Sequence, residues 1–572
     1  MSNEGLETVL TQLGMGPWNY LFFITSLIVP GTIPVFLIGS EFINPVPRYF
    51  CNLPNETYHT YNGSECMMAV KNDQEAVRQP EETVPCTSWS YDTSVFHSTV
   101  AMEWDLVCER AFLAPLFQTL YTVGSIFGSL FSATAAHKYG IRWAVRAGSL
   151  GTLIGLGVLL TTPWFYLLLV SRFFLGVFNV FMVAPSFILA MEVCVPRLRP
   201  TVGVMLALPY AIMMIVLTLL AYAIRDWRTL HLAASFPSFL LIPFILVVDE
   251  SPRWLVVHGY LEEAVVVLQR GARLNRVQLP DPATLSAIIS VTPKTSQTSG
   301  ALKDEKQIQI STIDGGEGVM MSSSAGPGVH GGLKYGSEGG YGVTCDNKLG
   351  AEDGVGSWWA GPVALVRSSA LRKMMAVLIA LWFLQGVVYL GLPLNSSAFS
   401  SPFVYMALLG VVEIPAYSLT APITKHLGRR VVIGVCLILS GSFLFLLYIL
   451  QLTIVMSEWV DLALVLVSYL LVCTSYQVNY IFVPELLPTT LRPWGSALCI
   501  IAANLGYCVP PFFTEYLAVD HPWLPVVVFG LCGVLAGSLV VFLPETNGRP
   551  LLETVADLQE RLSTKTPKTS PK

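Results

Sequence analysis

Stretches long and apolar enough to fill a bilayer recur along this sequence, and that repetition leaves few folds open. A hydrocarbon core of about 30 Å takes about 20 apolar residues in helix to cross it. Runs of that kind lie near Trp18–Ser40, Ala111–Ala136, Val145–Thr161, Trp164–Ala190, Val202–Ile224 and Leu230–Val248. After a long polar stretch they resume near Met374–Leu392, Phe403–Ile423, Val431–Gln451, Leu462–Val483, Trp494–Phe513 and Pro525–Leu543. Six plus six predicts an all-α integral membrane protein of twelve transmembrane helices. Composition agrees: 12% of residues are charged, about half of what a soluble chain carries. The net charge of −5 and the scattered basic residues exclude a nucleic-acid-binding face. The first run has no basic segment before it and no small-residue cleavage pattern, so it reads as a retained span.

Orientation follows from the basic residues of the short loops. With the N-terminus in the cytoplasm, the inner loops hold Lys138, Arg142, Arg146, Arg197, Arg199, Lys425, Arg429, Arg430 and Arg492, and the outer ones only Arg225 and Arg228. Both termini are therefore expected in the cytoplasm of a multi-pass plasma-membrane protein.

Two polar segments interrupt the pattern. The loop 41–110 falls outside and contains Cys51, Cys66, Cys86 and Cys108, with sequons at Asn55 and Asn62. Four cysteines in an oxidising compartment predict two disulfides, with three pairings open. The sequons predict glycosylation on the same side. The segment 251–373 falls inside. Leu261–Leu274 reads as a surface helix, while 294–356 is about a quarter glycine and predicts a disordered tether. The 253–373 loop is either a plain linker or a platform for cytoplasmic partners. These boundaries predict a first bundle over 1–250, a second over 374–543 and a tail over 544–572.

Six short motifs now fall into place. They are Cys86-Thr-Ser-Trp-Ser-Tyr-Asp92, Ser98-Thr-Val-Ala-Met-Glu-Trp-Asp-Leu-Val-Cys108, Glu250-Ser-Pro-Arg-Trp-Leu255 and Glu413-Ile-Pro415. The last two are Glu485-Leu-Leu-Pro-Thr-Thr-Leu-Arg492 and Leu543-Pro-Glu-Thr-Asn-Gly-Arg-Pro-Leu-Leu-Glu-Thr554. In this order and at these depths the sequence resembles the organic ion transporter family (organic cation, organic anion and carnitine carriers) of the major facilitator superfamily. The resemblance covers nearly the whole chain outside the glycine-rich insert.

It implies two six-helix bundles with a substrate site between them near the midplane, and alternating access as the mechanism. It also implies that Glu192/Arg199, Glu250/Arg253 and Glu485/Arg492 act as gating latches; static anchoring at the interface is the competing reading. Two departures stand out. The superfamily signature Asp-Arg-x-Gly-Arg after the second helix is here His137-Lys-Tyr-Gly-Ile141, and its counterpart after the eighth is Lys425-His-Leu-Gly-Arg429. The acid is missing from both.

Ionisable residues inside the spans are few. Arg172 and Glu413 each cost about 2.5–3.5 kcal/mol to insert and so need a partner or a polar cavity. Arg172 matches a position that supports structure and coupling, and Glu413 reads as a substrate, coupling or packing residue. In the seventh helix Trp382 and Tyr389 share a face, with Gln385 between them. Such an aromatic face suits an ammonium group through cation–π contact. The resemblance adds Gln477, and places Asn504 where relatives carry the charge that sorts cations from anions. Pro30-Gly31, Pro34 and Pro510-Pro511 break the first and eleventh helices, either beside a wet cavity or as packing kinks. No phosphate-binding loop, metal-ligand spacing or catalytic constellation is present, so neither an enzyme nor a cofactor is expected. The expected function is secondary transport of small organic cations or zwitterions, with lipid as solvent; the alternative is a transport-deficient receptor or scaffold.

Overall fold

The computed structural model describes residues 4–52, 58–60, 66–70, 83–290, 369–453, 457–488 and 491–547. Asn55 and Asn62, the glycine-rich 294–356 stretch and nearly all of the 544–572 tail lie outside them.

Eleven of the predicted spans are long and apolar enough to cross a membrane among the described residues: Pro17–Leu37, Cys108–Tyr139, Ile141–Thr161, Phe165–Val193, Thr201–Ala223, Leu371–Ala398, Pro402–Thr424, Arg429–Thr453, Glu458–Leu486, Trp494–Leu517 and Leu524–Phe542; the first is broken at Thr32 and the eleventh after Tyr507. The sixth predicted span is instead two short helices, Trp227–Ala234 and Phe236–Val247. Pro237 explains the break at Ser235, because it lacks the N–H that would bond the Ala233 carbonyl and its ring crowds that carbonyl. The outward faces carry large apolar side chains such as Leu150, Ile154 and Leu219. Water would penalise such a surface, whereas lipid solvates it.

Within the first six spans, the fourth packs along the second and third; within the last six, the ninth packs on the tenth and twelfth, and the seventh on the eleventh. The two sets meet where the fifth span packs on the eighth and the second on the eleventh. At the end that bears the 41–110 loop, the Phe403 ring lies 5.7 Å from Phe42, 5.8 Å from Phe96 and 5.7 Å from Tyr222. There the Ser396 hydroxyl also donates to the buried carboxyl of Glu41. The five described ion pairs each stay within one set of six. This end is therefore packed shut by aromatic contacts.

The 41–110 loop is not helical throughout. Tyr49–Cys51 pairs antiparallel with Trp89–Tyr91, and Tyr58–Thr60, Met67–Val70 and Thr83–Pro85 form a second small sheet. Cys51 is bonded to Cys86 and Cys66 to Cys108, which selects one of the three pairings. Glu103 anchors the loop to the bundle, accepting from Trp227 Nε1 at 2.9 Å and pairing with the Arg228 guanidinium. That contact is the physical content of the Ser98–Cys108 motif.

At the opposite end the expected surface helix, observed as Leu261–Asn275, is more than surface. Its Ala264, Leu268 and Ala272 side chains join Leu6, Val9, Leu10 and Leu13 of the Glu4–Leu13 helix and Trp18 in one apolar cluster. The amphipathic N-terminal helix buries its apolar stripe here, against the Leu261–Asn275 and Pro282–Ser290 helices.

Candidate functional site

Glu413 sits on the Pro402–Leu427 helix with none of its surface exposed. Its Oε1 accepts from the Tyr389 hydroxyl at 2.8 Å and from the Tyr417 hydroxyl at 2.6 Å. Tyr417 is one turn further along the same helix, and Tyr389 reaches across from the seventh span. Cys473 Sγ lies 3.9 Å from the same oxygen. The second oxygen, Oε2, is buried without a hydrogen-bond partner. No described ion pair involves Glu413. A buried carboxyl in this state is costly until a donor or cation reaches it.

A chain of buried aromatic rings runs away from Tyr389. Tyr389 stacks on Tyr476 at 4.6 Å and on Tyr469 at 6.1 Å. Trp382 stands 5.5 Å from Tyr476 and edge-on to Tyr480 at 5.1 Å. The Tyr476 hydroxyl is 2.6 Å from that of Tyr507 in the eleventh span. Tyr476 is thus the ring that joins Trp382 and Tyr389, two turns apart on one face. Spacing along the seventh span foretold that face, but not the tyrosines of the tenth that cover it.

The remaining candidates divide. Gln385 donates to Ser475 Oγ at 2.7 Å and accepts from Asn479 Nδ2, so its amide ties the seventh span to the tenth. Asn504 is half-buried, one turn before Tyr507, and its side chain makes no hydrogen bond among the described residues; the same holds for Gln477. Arg172 is fully buried among the first six spans. It donates to the Phe36 carbonyl at 3.0 Å and to Gln118 Oε1 at 2.7 Å, and lies 4.4 Å over the Phe117 ring. Backbone, amide and ring hold this cation, while its Nη1 is buried without a hydrogen-bond partner.

In this structure the carboxylates of the three expected latch sets bond to partners other than the arginines they were grouped with. Arg199 and Arg253 both pair with Glu7, at 3.3 Å and 2.9 Å. Glu192 accepts from the Ser251 hydroxyl. Glu250 accepts the backbone N–H groups of Ile141, Arg142 and Ser251 at 3.0–3.1 Å. Glu485 pairs with Arg429 at 3.2 Å and accepts from Thr546 Oγ1 at 2.5 Å. Neighbours in sequence at a helix end point apart, whereas a helix N-terminus opposite offers free N–H groups. Glu7 went unnoticed because it precedes the first span; its only signal is an acid within an amphipathic decapeptide.

The missing signature acids are replaced in space. Glu250 caps the helix that begins at Ile141, and Glu545 caps the one that begins at Arg429, accepting from Arg429 N and Arg430 N at 3.0 Å. Gly140 and Gly428 precede those caps at φ 102° and 82°, and a Cβ on Gly140 would lie 2.3 Å from Glu250 Oε2. Burial pushes the Glu250 carboxyl above its ordinary range, and the N–H donors of Ser251, Arg142 and Ile141 only partly offset that. Glu7 moves the other way: burial raises it, but hydrogen bonds from Arg253 and Arg199 prevail and hold it below 4.5. A cavity of about 220 Å³ lies beside this cluster, lined by Phe187, Ile188, Met191, Glu192, Arg199 and Arg253. It does not touch the Glu413 site.

Comparisons with known proteins bear on the family and the fold. The family described as "Sugar (and other) transporter" matches residues 67–309 and 368–558. The chain is 29% identical over 490 residues to Organic cation/carnitine transporter 2 of Rattus norvegicus, covering 84% of this chain and 75% of that protein. It is 25% identical to the Organic cation transporter protein of Drosophila melanogaster, covering 97% and 94%. Solute carrier family 22 member 3 of Rattus norvegicus is 27% identical, covering 83% and 74%. Among solved structures, a D-xylose-proton symporter is similar with a TM-score of 0.55 at 13% identity, covering 93% of this chain and 99% of that one. The xylose transporter XylE from E. coli, in its inward open conformation, gives 0.54 at 14%, covering 98% and 99%. At such identities the two structures speak for the fold alone.

Proposed function

This chain belongs to the sugar (and other) transporter family and to its organic ion transporters, and from that premise we propose that the Glu413 site carries small organic cations or zwitterions across the plasma membrane. The observation that carries the reading is the Glu413 carboxyl, buried with Oε2 unpartnered and bonded through Oε1 to Tyr389, whose ring continues into a chain of rings through Tyr476 to Trp382. An ammonium group supplies the charge and donors that Oε2 lacks, and the ring faces contribute roughly 0.5–2 kcal/mol by cation–π attraction. The relatives named for organic cations and carnitine support the same class.

Alternating access around this site is the mechanism. Tyr389 and Tyr417 hold Glu413 while a ligand is absent, and an entering ammonium takes over part of that bonding. Gln385 keeps the seventh and tenth spans in register, Gln477 and Asn504 line the polar flank, and Arg172 braces the first bundle. Glu7, Glu192, Arg199, Glu250, Arg253, Glu485 and Arg492 couple the loops opposite the disulfide domain. Both termini face the cytoplasm in this reading, since the disulfides lie at the end away from the basic loops. Asn55 and Asn62 bear glycans there, and the 253–373 segment is the surface for cytoplasmic partners.

Uptake of labelled amines, carnitine-like zwitterions and organic anions into proteoliposomes tests the reading. Saturable uptake of amines or zwitterions is expected, with Asn504→Asp shifting preference toward permanent cations and Asn504→Arg toward anions. Folded protein that takes up none of the panel returns the transport-deficient scaffold. An unchanged profile in both Asn504 variants removes that residue from the site.

A further inference from the structure

Away from Glu413, one pair of metal-ligating side chains faces each other directly. His137, in the last turn of the Leu113–Tyr139 helix, and His258, just past the Pro252–Val257 helix, bring Nδ1 and Nε2 to 3.0 Å. Their rings are 5.0 Å apart and inclined at 67°. His137 is exposed and His258 half-buried, so ions in water reach the gap.

Both rings are held from behind. His258 Nδ1 lies 2.9 Å from the Trp254 carbonyl oxygen. A carbonyl only accepts, so Nδ1 carries the proton of the neutral ring and Nε2 keeps its lone pair, aimed at His137. The Trp254 indole stacks on His258 at 4.1 Å and 20°, and its Nε1 donates to the His137 carbonyl at 3.2 Å. A histidine whose second nitrogen donates to a carbonyl is the arrangement by which metal-binding imidazoles fix their tautomer and direction.

We propose that His137 and His258 form a two-imidazole site for a borderline transition-metal cation, with Zn²⁺ as the probe and water in the remaining positions. Zinc–nitrogen bonds of about 2.0–2.1 Å in tetrahedral geometry set two ligand nitrogens about 3.3 Å apart, so the gap opens by a few tenths of an ångström. Neutral His137 frees Nδ1 by carrying its proton on Nε2 instead, so binding needs no net proton loss. Among the described residues no group of three or more His, Cys, Asp or Glu is placed to hold a metal. The ion is therefore exchangeable rather than structural. It clips the end of the second span to the segment behind the sixth, beside the Gly140 turn that Glu250 caps.

The test is a Zn²⁺ titration of the purified full chain, its affinity tag removed, by calorimetry and by thermal melting. The wild type is expected to bind one Zn²⁺ per chain and to melt higher in its presence, with a chelator reversing both. His137→Ala and His258→Ala should each weaken binding roughly tenfold or more and abolish the rise. His426→Ala, at an exposed histidine elsewhere, should leave both unchanged. Metal-free melting reports whether each variant folds, and His258→Gln replaces alanine where it does not. Binding that is absent up to millimolar Zn²⁺, or the same in wild type and both variants, overturns the site. So does a loss confined to one variant, because a lone histidine would then be the ligand.

Discussion

The Tyr389 hydroxyl donates to Glu413 Oε1 at 2.8 Å, joining the seventh and eighth spans through a carboxyl that no water reaches. Glu413→Gln preserves shape and one acceptor but removes the charge an ammonium needs. Uptake of amines should fall at least tenfold while the protein still reaches the surface. Tyr389→Phe deletes one charge-assisted bond, on the order of 1.5–3 kcal/mol, so apparent affinity should weaken about tenfold or more. The double variant with Tyr417→Phe should depart from additivity, since both hydroxyls share one oxygen. Full amine uptake by Glu413→Gln would remove the carboxyl from the site.

Gly140 makes a sharper structural test. At φ 102° and ψ 153° it occupies backbone space that side chains avoid, and a Cβ there meets Glu250 Oε2. Gly140→Ala should destabilise by about 1–3 kcal/mol, seen as a lower melting temperature in detergent. Gly157, with nothing within 4 Å of its would-be Cβ, is the control. Gly157→Ala should be neutral or stabilise by up to about 1 kcal/mol, because alanine is the better helix former.

The disulfide pairing is directly measurable. Non-reducing peptide mapping should recover Cys51 linked to Cys86 and Cys66 linked to Cys108, with no cross-pairs. The sequence separations are 35 and 42 residues, and loops of that size contribute roughly 4 kcal/mol each in the chain-entropy account. Because the loops overlap, each bond closes a shorter effective loop while the other is intact, so losing both should cost more than twice the loss of one.

Glu7 predicts a pH signature. Its carboxyl is held below 4.5 by Arg253 and Arg199 against the opposing effect of burial. A depressed carboxylate stabilises the fold above its unfolded value, and that contribution is lost as pH falls through the folded one. The melting-temperature difference between wild type and Glu7→Gln should therefore be full near neutrality and shrink as pH drops below about 4.5. A difference that stays constant to pH 3 would mean the clamp on Arg199 and Arg253 is not ionic.

Eleven of the twelve expected spans, the four-cysteine loop and the two intramembrane charges, Arg172 and Glu413, were legible in the sequence because hydropathy is a sum over about 20 contiguous residues. The Trp382–Tyr389 face was legible for the same reason, since helical period is local. Proline chemistry explains the break at Ser235, yet hydropathy ran straight across it. Partnership is not local, and there only the tertiary structure decided. Arg253 finds Glu7 across 246 positions, the Ile141 N–H finds Glu250 across 109, and the Arg430 N–H finds Glu545 across 115. Glu250 and Glu485, grouped from the sequence with Arg253 and Arg492, bond elsewhere in this structure, since hydrogen bonds depend on direction as well as distance. Tyr389 and Tyr417 came to share one Glu413 oxygen for that reason, with Tyr476 and Tyr469 of the tenth span stacked on Tyr389: helix packing, not local pattern, set those directions.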